Sequence, residues 1–449
     1  MRDRIIYSLP KLPIVLLFAL CVSNQAYAET LTFREAINAA LENNPLLQAH
    51  AWSVRARKED FLTTKGLLYP KLTVEERFTR TDSPTYGFMA KLNQERFAQQ
   101  DFAIGQLNDP HDISDFQTSF SVDQPLFAPA LYYGMGLAEK EMDAGNAEFE
   151  RLKNEVARSV VRSALAVQTA KEFLSAALAA AADAREHKRL ASLRYDSGLG
   201  LYSDVLRADV GIKKAEAVVA RAEGDLEVAG RALGLVLGRT EAVDVTGVKP
   251  SLPLNELNVY MDAAFRRDDL KALGIRYENS LEAVKLEKSF FLPEIGARAS
   301  YQFNDHNSPF SPEGESYILT ASLRWSLFDA SLYHKVRKAE AGANEMRQRL
   351  TGLEQEVRFR VNEAYIRIRE KEKTLSLSKA ALEEAEESLR LVKTRYENSL
   401  SPIVDLLGTQ ALLDSARANA VEAENEYINA VADLYHQSGT LLKELGITN

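Results

Sequence analysis

The chain has one cysteine in 449 residues, Cys21. A single thiol excludes an intramolecular disulfide framework and any cysteine-built zinc cage. Glycine (22) and proline (14) are scarce, which excludes a collagen-like or low-complexity chain. Past the N-terminal region no stretch approaches the ~20 continuous apolar residues of a transmembrane helix. Nor is positive charge in excess: 55 Lys and Arg stand against 64 Asp and Glu, a net charge of −9. An acidic chain without a basic stripe is a poor partner for nucleic acid. The histidines, at 50, 111, 187, 306, 334 and 436, include no pair four apart and no metal-ligand spacing. No metal or other cofactor is therefore expected. Gly134-Met135-Gly136 lacks a third glycine, and neither a P-loop nor a nucleophile elbow is present, so no enzyme is indicated. What the chain does have is 46% apolar and 27% charged residues, enough for a large core.

The N-terminus reads as a cleaved signal peptide over 1–28. Arg2, Arg4 and Lys11 supply the basic region, Pro13 to Val22 the apolar core, and Ala26-Tyr27-Ala28 a small-residue cleavage site. Leu20 before Cys21 argues against a lipid anchor. The remainder carries no thiol, which fits an oxidising compartment outside the inner membrane.

An internal repeat organises the rest. Leu67-Leu68-Tyr69-Pro70-Lys71-Leu72 matches Phe290-Phe291-Leu292-Pro293-Glu294-Ile295 at an offset of 223. Leu126-Phe127 matches Leu327-Phe328 at 201, and that offset persists through Arg194-Tyr195 with Arg395-Tyr396, Asp204 with Asp405 and Gly238 with Gly439. The first half thus carries 22 extra residues in one loop, within 83–115. The expected layout is a first repeat over 29–239, a polar connection over 240–260 and a second repeat over 261–449.

Each half switches period. Leu31 to Thr64 reads as a helix with Thr32 as N-cap. Alternation of period two then predicts strands at 71–82, 116–124, 294–305 and 316–327. Their length suits a tilted bilayer crossing of ~9–11 residues. Tyr301, Phe303, Tyr317, Trp325 and Phe328 gather toward strand ends, as interfacial aromatic girdles do. Pro129 to Ser197 and Ser331 to Asn398 read as helices of roughly 100 Å. In the second, Leu375, Ser378, Leu382, Ala385, Leu389, Val392 and Tyr396 keep the spacing of a coiled-coil seam. Short breaks follow, and a return helix runs to Gly238 and to Gly439.

Four strands from one chain cannot close a sheet. Two copies give eight strands and a filled lumen, three give twelve and an open one. Twelve suits the sparsely charged polar face better, so the fold expected is mainly α with a small β part. It is a trimeric α-helical barrel continuous with a shared 12-stranded β-barrel. Asp204 and Asp405, at the start of the return helices, have an ordinary reading as first-turn residues stabilised by the helix dipole. In an oligomer each would instead form a ring about an axis.

The chain resembles the outer-membrane efflux (TolC-type) channel proteins. The likeness rests on Leu31-Thr32-Phe33-Arg34-Glu35-Ala36, Asn43-Asn44-Pro45, Pro125-Leu126-Phe127, Ser326-Leu327-Phe328 and two tip motifs, Arg194-Tyr195-Asp196-Ser197-Gly198-Leu199 and Arg395-Tyr396-Glu397-Asn398-Ser399-Leu400. It implies a homotrimer in the outer membrane with its helices in the periplasm, docked to a periplasmic adaptor and an inner-membrane transporter. It also implies a periplasmic gate to which Tyr396, Asp405 and Asp204 belong, and adaptor-contacting tips at Ser197, Gly198, Leu199, Ser399 and Leu400. Ser401 stands where the family has a gate arginine and Gly408 where it has a second ring aspartate. A periplasmic coiled-coil adaptor or scaffold is the competing reading.

Overall fold

A computed structural model describes residues 29–246, 253–311 and 313–447. The expected signal peptide lies outside the described residues, as does part of the connection between the halves.

Strand β1 (Glu29–Leu31) leads into α1 (Phe33–Asn43) and α2 (Pro45–Gly66). Thr32 caps α1 in a capping box with Glu35, whose carboxylate accepts from the Thr32 backbone N–H at 2.8 Å. The single helix expected over 31–64 is therefore two. Pro45 takes the first position of α2 and the Asn44 side chain accepts from the Leu46 N–H at 2.9 Å, so Asn-Pro restarts the helix rather than lying inside it. Strand β2 (Lys71–Thr81) follows, then α3 (Pro84–Asn93), a 3₁₀ turn, α4 (Ile104–Asn108) and β3 (Ile113–Phe127). Residues 83–115, expected as a loop, thus carry helices of their own, and β3 begins earlier and ends later than 116–124. Helix α5 (Pro129–Asp196) and its return α6 (Tyr202–Val236) complete the first half.

Strand β4 (Val243–Val245) pairs in parallel with β1, a pairing the sequence reading missed because three residues carry no period. Helices α7 (Leu257–Ala264) and α8 (Asp268–Ser289), strands β5 (Glu294–Asp305) and β6 (Gly314–Arg324), helix α9 (Ala330–Glu397), its return α10 (Ile403–Ser438) and α11 (Leu441–Glu444) follow. Strand β6 stops short of 327. There Trp325 turns away to donate to the Phe291 carbonyl at 2.9 Å. The repeat is structural. Both ends of α9 lie 201 residues after those of α5, and both ends of α8 lie 223 after those of α2.

The sheet runs β2-β3-β5-β6, antiparallel throughout, with β2 and β6 at its edges. Its register sorts the side chains. Val74, Phe120, Tyr301 and Tyr317 form one cross-strand row, and Leu72, Val122, Ala299 and Leu319 the next on the same face. Glu75, Ser119, Gln302 and Ser316 form a row on the other. Leu72, Tyr317 and Leu319 are all more than 70% exposed, which leaves an apolar band uncovered by the chain itself.

The main core lies midway along the helices. Ile37, Val160, Leu165, Leu233, Val361, Ile368 and Leu434 are buried there, and the Tyr260 and Tyr435 rings meet edge-on at 5.3 Å. Both return helices end here in the same way. Gly238 (φ 77°) and Gly439 (φ 76°) take left-handed backbone, where a side chain is strained. The Asn44 amide donates to the Val236 carbonyl at 2.7 Å, and the Arg267 guanidinium to the Gln437 carbonyl at 2.9 Å. Asn44 and Arg267 are themselves repeat mates at the 223 offset.

Candidate functional site at the helix tips

The two helix-to-helix breaks form a matched pair. In the first, the Gly198 N–H donates to Tyr195 O and the Leu199 N–H to Arg194 O. In the second, Ser399 donates to Tyr396 O and Leu400 to Arg395 O. This is the Schellman ending of an α-helix, with one residue in left-handed backbone. Gly198 (φ 72°) fills that place in the first turn and Ser399 (φ 63°) in the second. The turns leave Leu199 and Leu400 more than two-thirds exposed, with Ser197 exposed beside them.

Behind the turns is a small second core of Ala191, Ala208, Tyr396, Ile403 and Leu406. Here the halves cease to be equivalent. Tyr396 is 2% exposed, whereas its mate Tyr195 is exposed and rests on Tyr202 at 5.5 Å. The Arg194 guanidinium lies over the Tyr396 ring at 4.5 Å and donates to the Tyr396 carbonyl at 2.9 Å. Arg194 thereby ties the tip of α5 to the tip of α9. Burial pushes the Tyr396 phenol above its ordinary range, and nearby Asp204 adds to that shift, while Arg194 pulls the other way. Asp204 sits in the first turn of α6, its carboxylate 3.7 Å from Arg207. Asp405 sits in the first turn of α10 and is exposed. So Asp204 and Tyr396 come together within one chain, and Asp405 is not among the groups that act on the Tyr396 phenol. The Ser401 hydroxyl and the Arg194 Nε are buried without a hydrogen-bond partner among the described residues.

A second polar tie lies farther up the shaft. His187 on α5 meets Gln410 on α10 at 3.1 Å, and the Gln410 amide donates to Asp414 at 2.9 Å. Burial raises the Asp414 carboxyl. Neither Arg194 nor this network was picked out as a site from the sequence. For Arg194 a signal existed in the doubled Arg-Tyr motif. Which arginine would reach which tyrosine depends on how the halves pack.

The histidine reading has one exception in space among the described residues: Asp305, His306 and Glu313, at the β5–β6 turn, bring ligand atoms within 4.8 Å of one another. Those atoms are occupied by each other and by backbone. His306 Nδ1 meets Glu313 at 2.5 Å, and Asp305 accepts the Asn307 N–H at 2.6 Å.

With this architecture the comparisons agree. The family model described as outer membrane efflux protein matches residues 36–239 and 259–440. The outer membrane protein TolC of Vibrio cholerae is 27% identical over 195 residues, 43% of this chain and 44% of the relative. The alkaline protease secretion protein AprF of Pseudomonas aeruginosa is 30% identical over 129 residues, 29% of this chain and 27% of the relative. The chain thus spans less than half the length of the relatives it matches. Among solved structures, a membrane protein from Pseudomonas aeruginosa superposes with a TM-score of 0.77 at 17% identity, covering 90% of this chain and 93% of the other. The open state of the Neisseria gonorrhoeae MtrE outer membrane channel gives 0.75 at 17%, covering 91% and 89%.

Proposed function

Because the chain belongs to the outer membrane efflux protein family, we propose that it is the outer-membrane exit duct of a tripartite efflux or secretion system. In this reading it is a passive homotrimeric channel, opened by a periplasmic adaptor and driven by an inner-membrane pump. The observation that carries it is the two-faced sheet with two unpaired edges, joined to helices of 68 residues. Those helices are about 100 Å long at 1.5 Å per residue. An apolar face turned outward suits lipid, a polar face turned inward suits a water-filled lumen, and the free edges β2 and β6 close only against other copies.

The tips are then the periplasmic mouth. Leu199 and Leu400, presented by the turns Ser197-Gly198-Leu199 and Ser399-Leu400, are the contact for the adaptor. Tyr396 with Asp204 forms the intrachain part of the gate. Asp405, exposed near it, lines a ring of three carboxylates that concentrates negative potential, as acidic rings do in cation pores.

The test is single-channel conductance of the purified protein in planar bilayers, with a trivalent cation added on the helical side. The expected result is a cation-selective channel that the ion blocks, with block weakened in Asp405→Asn. A protein that forms no channels would overturn the duct. Equal block in wild type and variant would return Asp405 to an ordinary first-turn residue.

A further inference from the structure

We propose that the helical insertion between β2 and β3 constricts the outer mouth of the channel to a narrow conducting path, its apolar side meeting the same side of the other copies on the axis. The inference rests on the channel reading above and adds to it a second constriction, at the end opposite the tips.

The insertion is anchored to one face of the sheet. Gln94, at the end of α3, is fully buried, and its amide donates to the Ser114 carbonyl at 2.9 Å and to the Asp115 carboxylate at 2.8 Å. Asn304 donates to the same carboxylate at 3.0 Å. The Gln302 amide donates to Asn304 at 3.3 Å and the Gln117 amide to Gln302 at 2.9 Å, so the chain of bonds runs down the polar face. Ile113, Asp115, Gln117, Gln302 and Asn304 all share that face by strand alternation. Close packing holds the helix there. A Cβ on Gly87 would come within 2.9 Å of Ile113 Cδ1, and one on Gly314 would collide with the Asn93 carbonyl. The insertion therefore lies over the lumen side of the mouth and not out on the lipid side.

Helix α3 turns Gly87, Ala90 and Gln94 to the sheet, where all three are buried. At 3.6 residues per turn its opposite side carries Tyr86, Met89 and Leu92. These are exposed, as are Phe102 and Ile104 farther along the insertion. Apolar side chains at this density are costly to leave in water. A helix seated on the lumen face of a closed barrel points its far side at the axis. What stands across that axis is the same helix of the other copies. The occupant is thus a second and third copy of this chain.

The test uses the full trimer with a cysteine at Met89, since the chain after residue 28 has none of its own. Mild oxidation of Met89→Cys should link two chains of a trimer, seen as a dimer on a non-reducing gel after heating. The double variant Tyr86→Asp, Met89→Asp, its trimer checked by heat-modified mobility, should raise single-channel conductance several-fold and admit large antibiotics that the wild type excludes. Absence of the cross-link or unchanged conductance overturns the constriction. Rapid labelling of Met89→Cys by an impermeant maleimide without cross-linking would mean the face is open to an external partner. A wild type that neither trimerises nor conducts would instead bring down the channel reading itself.

Discussion

Tyr396 and Tyr195 occupy equivalent places in the repeat and opposite environments in the fold. The difference is Arg194, which stacks on the Tyr396 ring and donates to that residue's own carbonyl. A cation over an aromatic face contributes about 0.5–2 kcal/mol. Arg194→Ala should therefore loosen the tips by about 1–2 kcal/mol while the midway core keeps its stability. Hydrogen exchange checks this: protection should fall for residues 190–206 and 396–407 and hold around Leu233 and Leu434. Uniform protection in the variant would show that the tips are held by their apolar core alone. Arg194→Lys should rescue little, because an ammonium lacks the planar fork that both stacks and donates.

His436 is the second residue with a measurable consequence. It is half-buried beside Arg151, whose guanidinium reaches its Nε2 at 3.0 Å. Burial, with Arg151, Arg158 and Arg267 adding to it, holds its pKa down to about 4 from 6.5. The unfolded chain thus binds a proton here that the folded chain refuses. The sign follows from linkage: the stability from this site is intact above pH 6.5 and falls as pH drops from 6.5 toward 4. At 1.36 kcal/mol per unit the loss is about 3 kcal/mol. His436→Gln should flatten the dependence in that window in a denaturation series, and a variant with the wild-type slope would assign the slope to other groups.

At the level of elements, the strands carry their own prediction. Alternation placed them within three residues, and the register adds which side chains stand in one row. Cysteines placed along 295–304 should alternate, with 295, 297, 299, 301 and 303 reacting with lipid-soluble reagents and 296, 298, 300, 302 and 304 with water-soluble ones. Uniform access to water would refute the membrane barrel. The helices were legible for a different reason. Seam residues Leu375, Ser378, Leu382, Ala385, Leu389, Val392 and Tyr396 are all at least partly covered in the structure, while Leu377 and Leu391 off the seam are exposed. The break at Asn44-Pro45 is not legible in the sequence because a proline at the first turn of a helix costs nothing there, so its presence marks a start as readily as a stop. The insertion gave no period at all. Its helices are short and are held by contacts with β3, β5 and β6.

For the whole molecule, the single chain leaves apolar surface and sheet edges uncovered among the described residues. Phe359 and Ile366 stand exposed seven residues apart on α9, more than 60% accessible each, and the edges of the sheet are unpaired. In the trimer proposed above, packing against the next copy would cover both. Ile366→Asp places a charge in that contact and should convert a heat-sensitive oligomer on mild gels into monomer, with the helical content of the chain retained. An oligomer that persists would move the contact to another face.

The sequence by itself determined the architecture. Offsets of 201 and 223 mark two copies of one design, and period two against period 3.6 separates strand from helix, because both signals are local and repeat many times. Tertiary structure alone decided what depends on single distant pairs: Arg194 rather than Arg395 at the buried tyrosine, Arg267 standing in for Asn44 at the end of a return helix, β1 against β4, and an insertion folded onto the polar face of the sheet. Each is one contact between residues far apart in the chain, and no periodicity records where such partners meet.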